Sequence, residues 1–384
     1  MPRALLLATT LLAFPFGPAA AAAPPDAAAN AALKYWQAFA TLPTFSKAEQ
    51  NQLNAECLSM PLDAHARELV TRADYALRMM GRGAAIRHCD WGIGWEDGVY
   101  VRLPQAQAAR ALSALACLRA RLRFAEGRHA EAGDDVVAAM TLGRHVSQGA
   151  SFIMVLVGYS IEHRMSEALA AHLPRLNAGT VKGLQARLGA LPPFGSQAAS
   201  LRACEGETLD WFVREVKAAK DQESLLALLR PLFKLADEGR ASPEKAAAAF
   251  LKECGGTAAG VLKYAAQTRP YYELLAKKLD LPPEQFEKEF DREAKKQAGN
   301  PVFKLFFPAL PRCRWAEARA DVRRALLAAA LAVRLDGPDA LKKHPDPVGG
   351  APFEYLPFEG GFELRSKWKR DAKPLALTVG RRGK

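Results

Sequence analysis

The clearest evidence for a helical fold is the segment Pro104–Val146, PQAQAARALSALACLRARLRFAEGRHAEAGDDVVAAMTLGRHV. Proline is typical of the first turn of a helix, and two long runs rich in alanine and leucine lie on either side of Gly127. Alanine and leucine lose little side-chain entropy on entering a helix. The segment therefore predicts a helical hairpin that turns at Gly127.

Small side chains in the second half of this segment indicate close packing of the two helices. Ala132, Val136 and Ala139 follow Gly127 by five, nine and twelve residues. This spacing is similar to the second helix of a tetratricopeptide repeat. The first-helix signature of that repeat is missing, and no second copy follows at its period. The pattern thus predicts an antiparallel helix pair.

Helical patterns continue on both sides of the hairpin, and strand patterns follow only near the C-terminus. In the stretch DPVGGAPFEYLPFEGGFELRSKW, the alternating runs Pro352–Leu356 and Phe362–Ser366 are flanked by glycines and predict a β-hairpin. Leu375–Val379 is a candidate third strand. The predicted fold class is mainly α: stacked antiparallel helix pairs, TPR-like or α-solenoid-like, with a small C-terminal β-hairpin element.

The chain of 384 residues divides where its composition changes. The turn LPPFGS (Leu191–Ser196) separates two helical stretches, and the strand pattern begins after the last helix. The predicted regions are a signal peptide at 1–22, an N-terminal helical domain at 23–191, a second helical region at 192–340, and a β element with a basic tail at 341–384.

The N-terminus, MPRALLLATTLLAFPFGPAAAAAPPD, has the order of a secretory signal. Arg3 precedes an apolar run, Leu5–Phe16, and Gly17-Pro18 and a row of alanines follow it. The run is shorter than the roughly 20 residues that span a bilayer. We expect cleavage near Ala22, a periplasmic or extracellular protein, and no transmembrane segment in the mature chain.

Export permits disulfides among the six cysteines, which no C-x-x-C motif joins. The candidate pair is Cys57 with Cys89, which would tie a loop to an earlier helix. Cys117 lies inside an apolar helical run and is expected to be a buried free thiol.

The net charge of +12 is concentrated at the C-terminus, where residues 365–384 carry +7. Such a segment can attract an anionic envelope surface. Nucleic acid is not favoured as a partner, because Trp368 is the only aromatic residue interleaved with the cations. The cations are Arg365, Lys367, Lys369, Arg370, Lys373, Arg381, Arg382 and Lys384.

The loop Arg87–Gly98, RHCDWGIGWEDG, holds the densest set of chemistry-bearing residues. As a catalytic site, its carboxylates Asp90, Glu96 and Asp97 would supply an acid and a base, as in glycosidases, with His88 as a proton shuttle. A metal site is disfavoured, since adjacent side chains diverge and no metal motif is present.

We favour a structural role for the loop, because this role does not require its carboxylates to lie at a fixed distance from one another. Trp91 and Trp95 would fill a groove between helices, and the glycines would supply unusual backbone angles. Asp90 or Asp97 would cap a turn or a helix.

A second polar set lies on two successive helical segments, in GRHV and IEHR. Arg144, His145, Glu162 and His163 either line a concave surface that binds an acidic ligand or form a buried salt-bridged cluster between helices. The cluster is the favoured alternative. No cofactor-binding fingerprint or phosphate loop is present in the sequence.

Two stretches resemble known families. The chain from Tyr35 to Trp211, most specifically Cys89-Asp90-Trp91-Gly92, resembles a family of secreted helical proteins of planctomycete-type bacteria. That resemblance implies an architecture and no catalytic residue. The segment DPVGGAPFEYLPFEGGFELRS is similar to the sheet segment of pseudopilins, although this chain lacks their methylated N-terminal helix, so pilus assembly is not implied.

The predicted function is therefore an exported helical binding or scaffold protein of the cell envelope, with a protein, a peptide or an anionic surface as its partner. The alternative is a secreted hydrolase whose site joins the 87–98 loop to His145, Glu162 and His163. We predict no metal and no cofactor.

Overall fold

The computed structural model describes residues 29–236, 242–307, 309–368, 370 and 374–382. The predicted signal peptide, residues 1–22, lies outside the described residues.

Helices make up most of the described chain, and three short strands follow them. The helices of the first half are α1 (Ala31–Ala40), α2 (Lys47–Glu56), α3 (Ala64–Arg72), α4 (Asp74–Ala84), α5 (Pro104–Ala125), α6 (His129–Ser147), α7 (Phe152–His172) and α8 (Ala178–Gly189). Those of the second half are α9 (Gln197–Ser200), α10 (Gly206–Ala218), α11 (Gln222–Ala236), α12 (Pro243–Glu253), α13 (Ala258–Lys278), α14 (Pro283–Lys296), α15 (Pro301–Phe306) and α16 (Leu310–Asp336). The strands are β1 (Glu354–Phe358), β2 (Gly361–Arg365) and β3 (Ala376–Val379).

The predicted fold class, mainly α with a small C-terminal β element, is confirmed. Several helices begin where the local sequence predicts. Ser46 and Glu49 form the capping box of α2, and the Asp63 carboxylate accepts from the Ala66 N–H at the start of α3. Within the described ranges no helix combines the length and the apolar character that a membrane span requires.

The predicted helical hairpin is α5 and α6, which pack against each other along their length. Gly127 makes the turn with a φ of +76°, a left-handed conformation that favours glycine. Ala132, Val136 and Ala139 are fully buried, as expected for small residues at a close helix contact.

A buried ion pair joins the same two helices. The Arg119 Nε of α5 donates to the Asp135 Oδ1 of α6 at 3.0 Å, and Arg123 Nη1 donates to Asp135 Oδ2 at 2.7 Å. Asp135 is almost inaccessible, so its charge depends on these two guanidinium groups.

Gly83 corrects one sequence prediction. In the sequence, Gly81-Arg82-Gly83 predicts the end of a helix that begins at Asp63, but the structure divides that helix at Ala73, and α4 continues to Ala84. A β-carbon at Gly83 would lie 2.6 Å from the Tyr35 Cε1 of α1. This glycine is therefore a packing residue that admits an aromatic ring, and not a helix breaker.

The helices bury two main apolar cores. The first core takes in α1–α8, and α16 and the sheet pack onto it; the second core is formed by α9–α15 and the start of α16. The predicted division assigned α16 to the second region, yet Leu326, Ala330 and Val333 of this helix are buried in the first core. The chain thus leaves the first core after α8 and returns to it through α16.

The C-terminal sheet is antiparallel in the order β1-β2-β3. Tyr355 pairs with Leu364, and Leu364 with Leu377. Asp346 anchors the entry to the sheet: it is fully buried, and its Oδ2 accepts from Ser366 Oγ at 2.7 Å and from the Lys367 N–H at 2.8 Å.

Candidate functional site

The first half of the 87–98 loop is fixed by Trp91. Its indole N–H donates to the His145 carbonyl of α6 at 2.8 Å, and its ring stacks on Tyr35 and Phe39 of α1 at centroid distances of 5.7 and 6.1 Å. The side chain is 7% exposed. Trp91 therefore fills the groove between α1 and α6. Trp95 is only half-buried.

Asp90 is exposed and stabilises a turn through one of its carboxylate oxygens. Its Oδ1 accepts from the Gly92 N–H at 2.9 Å, and Gly92 has a φ of +61°. The Asn30 side chain holds the same residue from outside, since its Nδ2 donates to the Asp90 carbonyl at 2.7 Å and its Oδ1 accepts from the Asp90 N–H at 3.0 Å. Asn30 also caps α1, so one side chain joins the loop to the first helix.

The second half of the loop is fixed by α10. Arg214 Nη2 donates to the Glu96 carbonyl at 2.7 Å, and Tyr100 meets the Trp211 ring edge-on at 5.6 Å. Gly98 has a φ of +55°, and a β-carbon there would lie 2.2 Å from Trp211 Cδ2. The loop therefore connects the first core, through Trp91, to the second core, through Trp211.

The candidate catalytic residues of the loop do not form an acid–base pair. His88, Glu96 and Asp97 are exposed. Within the described residues, no hydrogen bond or ion pair joins Asp90, Glu96 or Asp97 to a histidine. In the same ranges, no three of the His, Cys, Asp and Glu side chains gather as metal ligands would. The loop geometry corresponds to the structural interpretation.

A surface cleft of about 430 Å³ lies beside the loop. Trp36 of α1 is 36% exposed and Tyr100 is 57% exposed, and both line the cleft with the buried Trp91. Asp97 and Arg102 add one negative and one positive side chain to the lining. The cleft thus offers large aromatic surfaces together with opposite charges.

No sequence motif marks Trp36, Tyr100 or Arg102 as a site residue. The helical period gives a signal for Trp36, because Ala31, Ala32, Tyr35 and Ala38 form the buried face of α1 and Trp36 falls beside it. Tyr100 and Arg102 carry no such signal, since Tyr100 ends the short 3₁₀ turn Gly98–Tyr100 and Arg102 lies between that turn and α5.

The polar set on α6 and α7 is divided between different environments. Arg144 Nη2 donates to Glu162 Oε1 at 2.6 Å, and Arg324 Nη1 donates to Glu162 Oε2 at 3.4 Å. The Phe194 ring lies beneath both guanidinium groups, 4.0 Å from Arg144 and 4.6 Å from Arg324. Glu162 is 6% exposed, so this part is a buried ion cluster that joins α6, α7 and α16.

The two histidines of this set lie apart from the Glu162 cluster. His145 is fully buried, and its Nδ1 is 2.9 Å from the Tyr35 hydroxyl. Burial lowers its pKa to about 4, which leaves the ring neutral at pH 7. His163 faces Glu167, with 3.4 Å between Nε2 and Oε1. The four side chains therefore do not line one surface.

Cys57 and Cys89, the candidate disulfide pair, lie in different surroundings. The six cysteines are free thiols. The Cys57 thiol is hydrogen-bonded to Cys117, which lowers the pKa of Cys57, and Arg164 and Arg121 add to the effect. Cys89 lies instead beside the Ala32 N–H, and burial raises its pKa to about 12. Cys117 is fully buried, as predicted.

The basic segment is not a free tail, because its first residue, Arg365, ends β2 and because β3 lies within it. Arg365 and Arg382 are ion-paired with Glu363 at 2.5 and 2.8 Å. Arg370 pairs with Glu287 at 2.7 Å. Lys367 and Arg381 are exposed. The other predicted cations of the segment, which lie outside the described residues, are Lys369, Lys373 and Lys384.

Comparisons of the chain with protein-family models, with curated proteins and with solved structures found no match.

Proposed function

We propose that the protein is an exported helical binding module whose cleft beside the 87–98 loop takes up an extended segment of a partner protein. One observation carries the proposal: Trp36 and Tyr100 stand exposed at the same cleft. Aromatic side chains are enriched where proteins bind one another, because they bury a large area at a small entropy cost.

The chemistry of the lining favours a peptide segment over a purely apolar ligand. Exposed glycine backbone at Gly92 and Gly94 borders the cleft, and Asp97 and Arg102 line it with opposite charges. An extended peptide carries backbone donors and acceptors and side chains of both signs. The rigid support from Trp91 below keeps the cleft formed without a ligand, which lowers the ordering cost of binding.

The architecture supports the same role. In helical repeat proteins, stacked helix pairs build long surfaces on which partner segments dock, and we propose that the helix pairs of this chain, such as α5 with α6, are TPR-like. We propose that the chain belongs to the secreted helical family that its Cys89-Asp90-Trp91-Gly92 motif resembles. That family implies no catalytic residue, so membership agrees with a binding role.

Binding is tested by selecting linear peptides from a random library on the purified chain and measuring the affinity of a selected peptide. We expect Tyr100→Ala to weaken binding about tenfold or more, and Arg102→Glu to shift selection toward basic peptides. Tyr75→Ala is the matched control, because Tyr75 is an exposed tyrosine of α4 that does not line the cleft. Equal affinity for the Tyr100 and Tyr75 variants would contradict the proposal.

Export is tested separately by expressing the full chain in a Gram-negative host and sequencing the N-terminus of the product. We expect periplasmic or medium protein that begins near residue 23. An intact N-terminus on cytoplasmic protein would refute export while leaving the cleft proposal standing.

A further inference from the structure

Two cysteines of the first core are in contact with each other. Cys57 follows α2 and is 3% exposed, and Cys117 lies within α5 and is fully buried. The Cys117 S–H donates to the Cys57 sulfur, which lowers the pKa of Cys57 to about 7 and raises that of Cys117. The two sulfur atoms therefore face each other where α2 packs on α5.

The backbone around Cys57 is fixed against the same helix by Arg121. The Arg121 Nη1 donates to the Cys57 carbonyl at 2.6 Å, and its Nη2 donates to the Met60 carbonyl at 2.9 Å. Arg121 lies four residues after Cys117 in α5, and residues four apart share one face of a helix. The turn that carries Cys57 is thus held on the face of α5 that presents Cys117.

The other four cysteines lie in different surroundings. Burial raises the pKa of each of these thiols, and a neighbouring carboxylate adds to the effect; they are Cys89, Cys204, Cys254 and Cys313. Within the described residues no second thiol contributes to the pKa of any of the four. The fold therefore brings thiols together at Cys57 and Cys117.

A bond between these two sulfur atoms would reinforce a lightly anchored helix. Of its own residues, α2 buries Leu53 alone, so little apolar contact holds it on α5. Sulfur atoms in hydrogen-bond contact reach a bond length of about 2.05 Å through rotation of their side chains. The bond would close a segment of about 60 residues, which lowers the entropy of the unfolded chain.

We propose that Cys57 and Cys117 form a disulfide when the chain folds in the presence of a disulfide oxidant such as oxidised glutathione. The oxidant acts before the first core closes, since both thiols are shielded in the folded chain. The proposal does not depend on the peptide cleft. Export would place the chain in a compartment that supplies such oxidants, but the test below supplies the oxidant directly.

The reaction is a thiol–disulfide exchange in two steps. The thiolate of one cysteine attacks a sulfur of the oxidant, forms a mixed disulfide and displaces one oxidant thiolate. The thiolate of the other cysteine then attacks the protein sulfur of the mixed disulfide and displaces the second oxidant thiolate. The two protein thiols lose two protons and two electrons, and the oxidant disulfide takes them up to become two thiols.

The test is refolding of the full chain from urea in a mixture of reduced and oxidised glutathione, followed by alkylation of the remaining thiols, trypsin digestion and mass spectrometry. The tryptic peptides Ala48–Arg67 and Ala111–Arg119 contain Cys57 and Cys117 as their single cysteines. We expect these two peptides to be joined and the Cys89 peptide to be alkylated. A link from Cys57 to Cys89, alkylation of both Cys57 and Cys117, or glutathione retained on Cys57 would overturn the proposal.

Thermal unfolding measures the effect of the bond. Addition of dithiothreitol should lower the unfolding midpoint of the refolded chain by about 5 °C or more. Cys57→Ser should show no such shift, because it keeps the size of the side chain and removes one sulfur. Cys89→Ser is the matched control and should keep the full shift. A shift that persists in Cys57→Ser, or one that disappears in Cys89→Ser, would assign the bond to other cysteines.

Discussion

At the scale of single residues, Trp91 combines burial with a specific hydrogen bond. It is 7% exposed, and its indole donates to the His145 carbonyl. We expect Trp91→Ala to lower the free energy of unfolding by about 3–5 kcal/mol, because a large cavity opens beneath the loop. Trp91→Phe keeps much of the stacking and should lose less. The measurement is urea unfolding followed by circular dichroism.

The control for this experiment is Tyr75→Ala, which removes a 49% exposed ring from α4. Its effect should stay within roughly 0.5 kcal/mol. A cost for Trp91→Ala no larger than that of the control would show that the loop does not depend on this side chain.

Glu205 is a half-buried residue whose carboxyl makes stability depend on pH. It ends the π-helical turn Leu201–Glu205 that leads into α10, and burial raises its pKa from 4.5 to about 7. Because the folded pKa is the higher one, the native state holds the proton more tightly than the unfolded chain. The stability from this group is fully present below pH 4.5 and is lost as the pH rises through about 7.

Glu205→Gln replaces the ionisable carboxyl with a neutral amide, so the folded protein no longer loses stability when this group ionises at high pH. We expect the variant to be more stable than the unmodified chain at pH 8, by at most about 3 kcal/mol, and nearly unchanged at pH 4. Urea unfolding at the two pH values measures the difference. Glu207→Gln, at an exposed neighbouring position, should show no such pH dependence, and a stabilisation at pH 8 equal to that of the Glu205 variant would contradict the assignment.

At the scale of elements, the 87–98 loop connects the two cores, and the conformation of its second half depends on Gly98. The positive φ of Gly98 and its contact with the Trp211 ring both exclude a side chain. We expect Gly98→Ala to destabilise the protein by about 1–3 kcal/mol and to alter the near-ultraviolet circular dichroism of the tryptophans. Thermal unfolding and that spectrum are the measurements.

Gly81→Ala is the matched substitution with the opposite expected sign. Gly81 lies in α4, and a β-carbon there meets nothing within 4 Å. Alanine should stabilise this helix by about 0.5–1 kcal/mol. If both alanines changed stability in the same direction, the close contact at Gly98 would not be the cause.

The sequence predicted elements where local chemistry determines them. The capping box at Ser46 and the turn at Gly127 each need only neighbouring residues. Gly83 could not be interpreted correctly, because its role depends on Tyr35 of a helix almost fifty positions away. In the sequence, Pro270 predicts the start of a separate helix, but in the structure it lies inside the continuous α13. Burial of Val261 and Tyr272 in the second core offsets the helical hydrogen bond that proline cannot make.

The candidate site could also be predicted only in part from the sequence. Glycines, aspartates and two tryptophans in a dozen residues indicated a fixed loop, and the loop is held by Trp91 and Asp90 as a structural element. The contact between Cys57 and Cys117 was not indicated, because the two thiols come from segments far apart in the chain and no short motif contains them.

At the scale of the whole molecule, α16 brings the chain back from the second core to the first. This return explains why the described part of the basic segment is fixed: β3, like the neighbouring β2, packs on the first core beside α16. Removing residues 367–384 would remove β3 and expose the apolar side chains it covers. Such a deletion cannot separate charge from folding, so the attraction to an anionic surface must be tested by substitutions.

Lys369→Gln, Lys373→Gln and Lys384→Gln together change the charge of the basic segment without deleting a strand. We expect the triple variant to bind phosphatidylglycerol vesicles more weakly at low salt, by about 1 kcal/mol for each lysine that reaches the surface, and to show a smaller loss of binding when salt is added. Sedimentation of the full chain with vesicles at two salt concentrations measures both. The control is Lys217→Gln, Lys220→Gln and Lys252→Gln, which removes the same charge from exposed positions of the second helical region. Equal weakening by the two triple variants would mean that net charge drives the attraction and that the C-terminal segment has no special role.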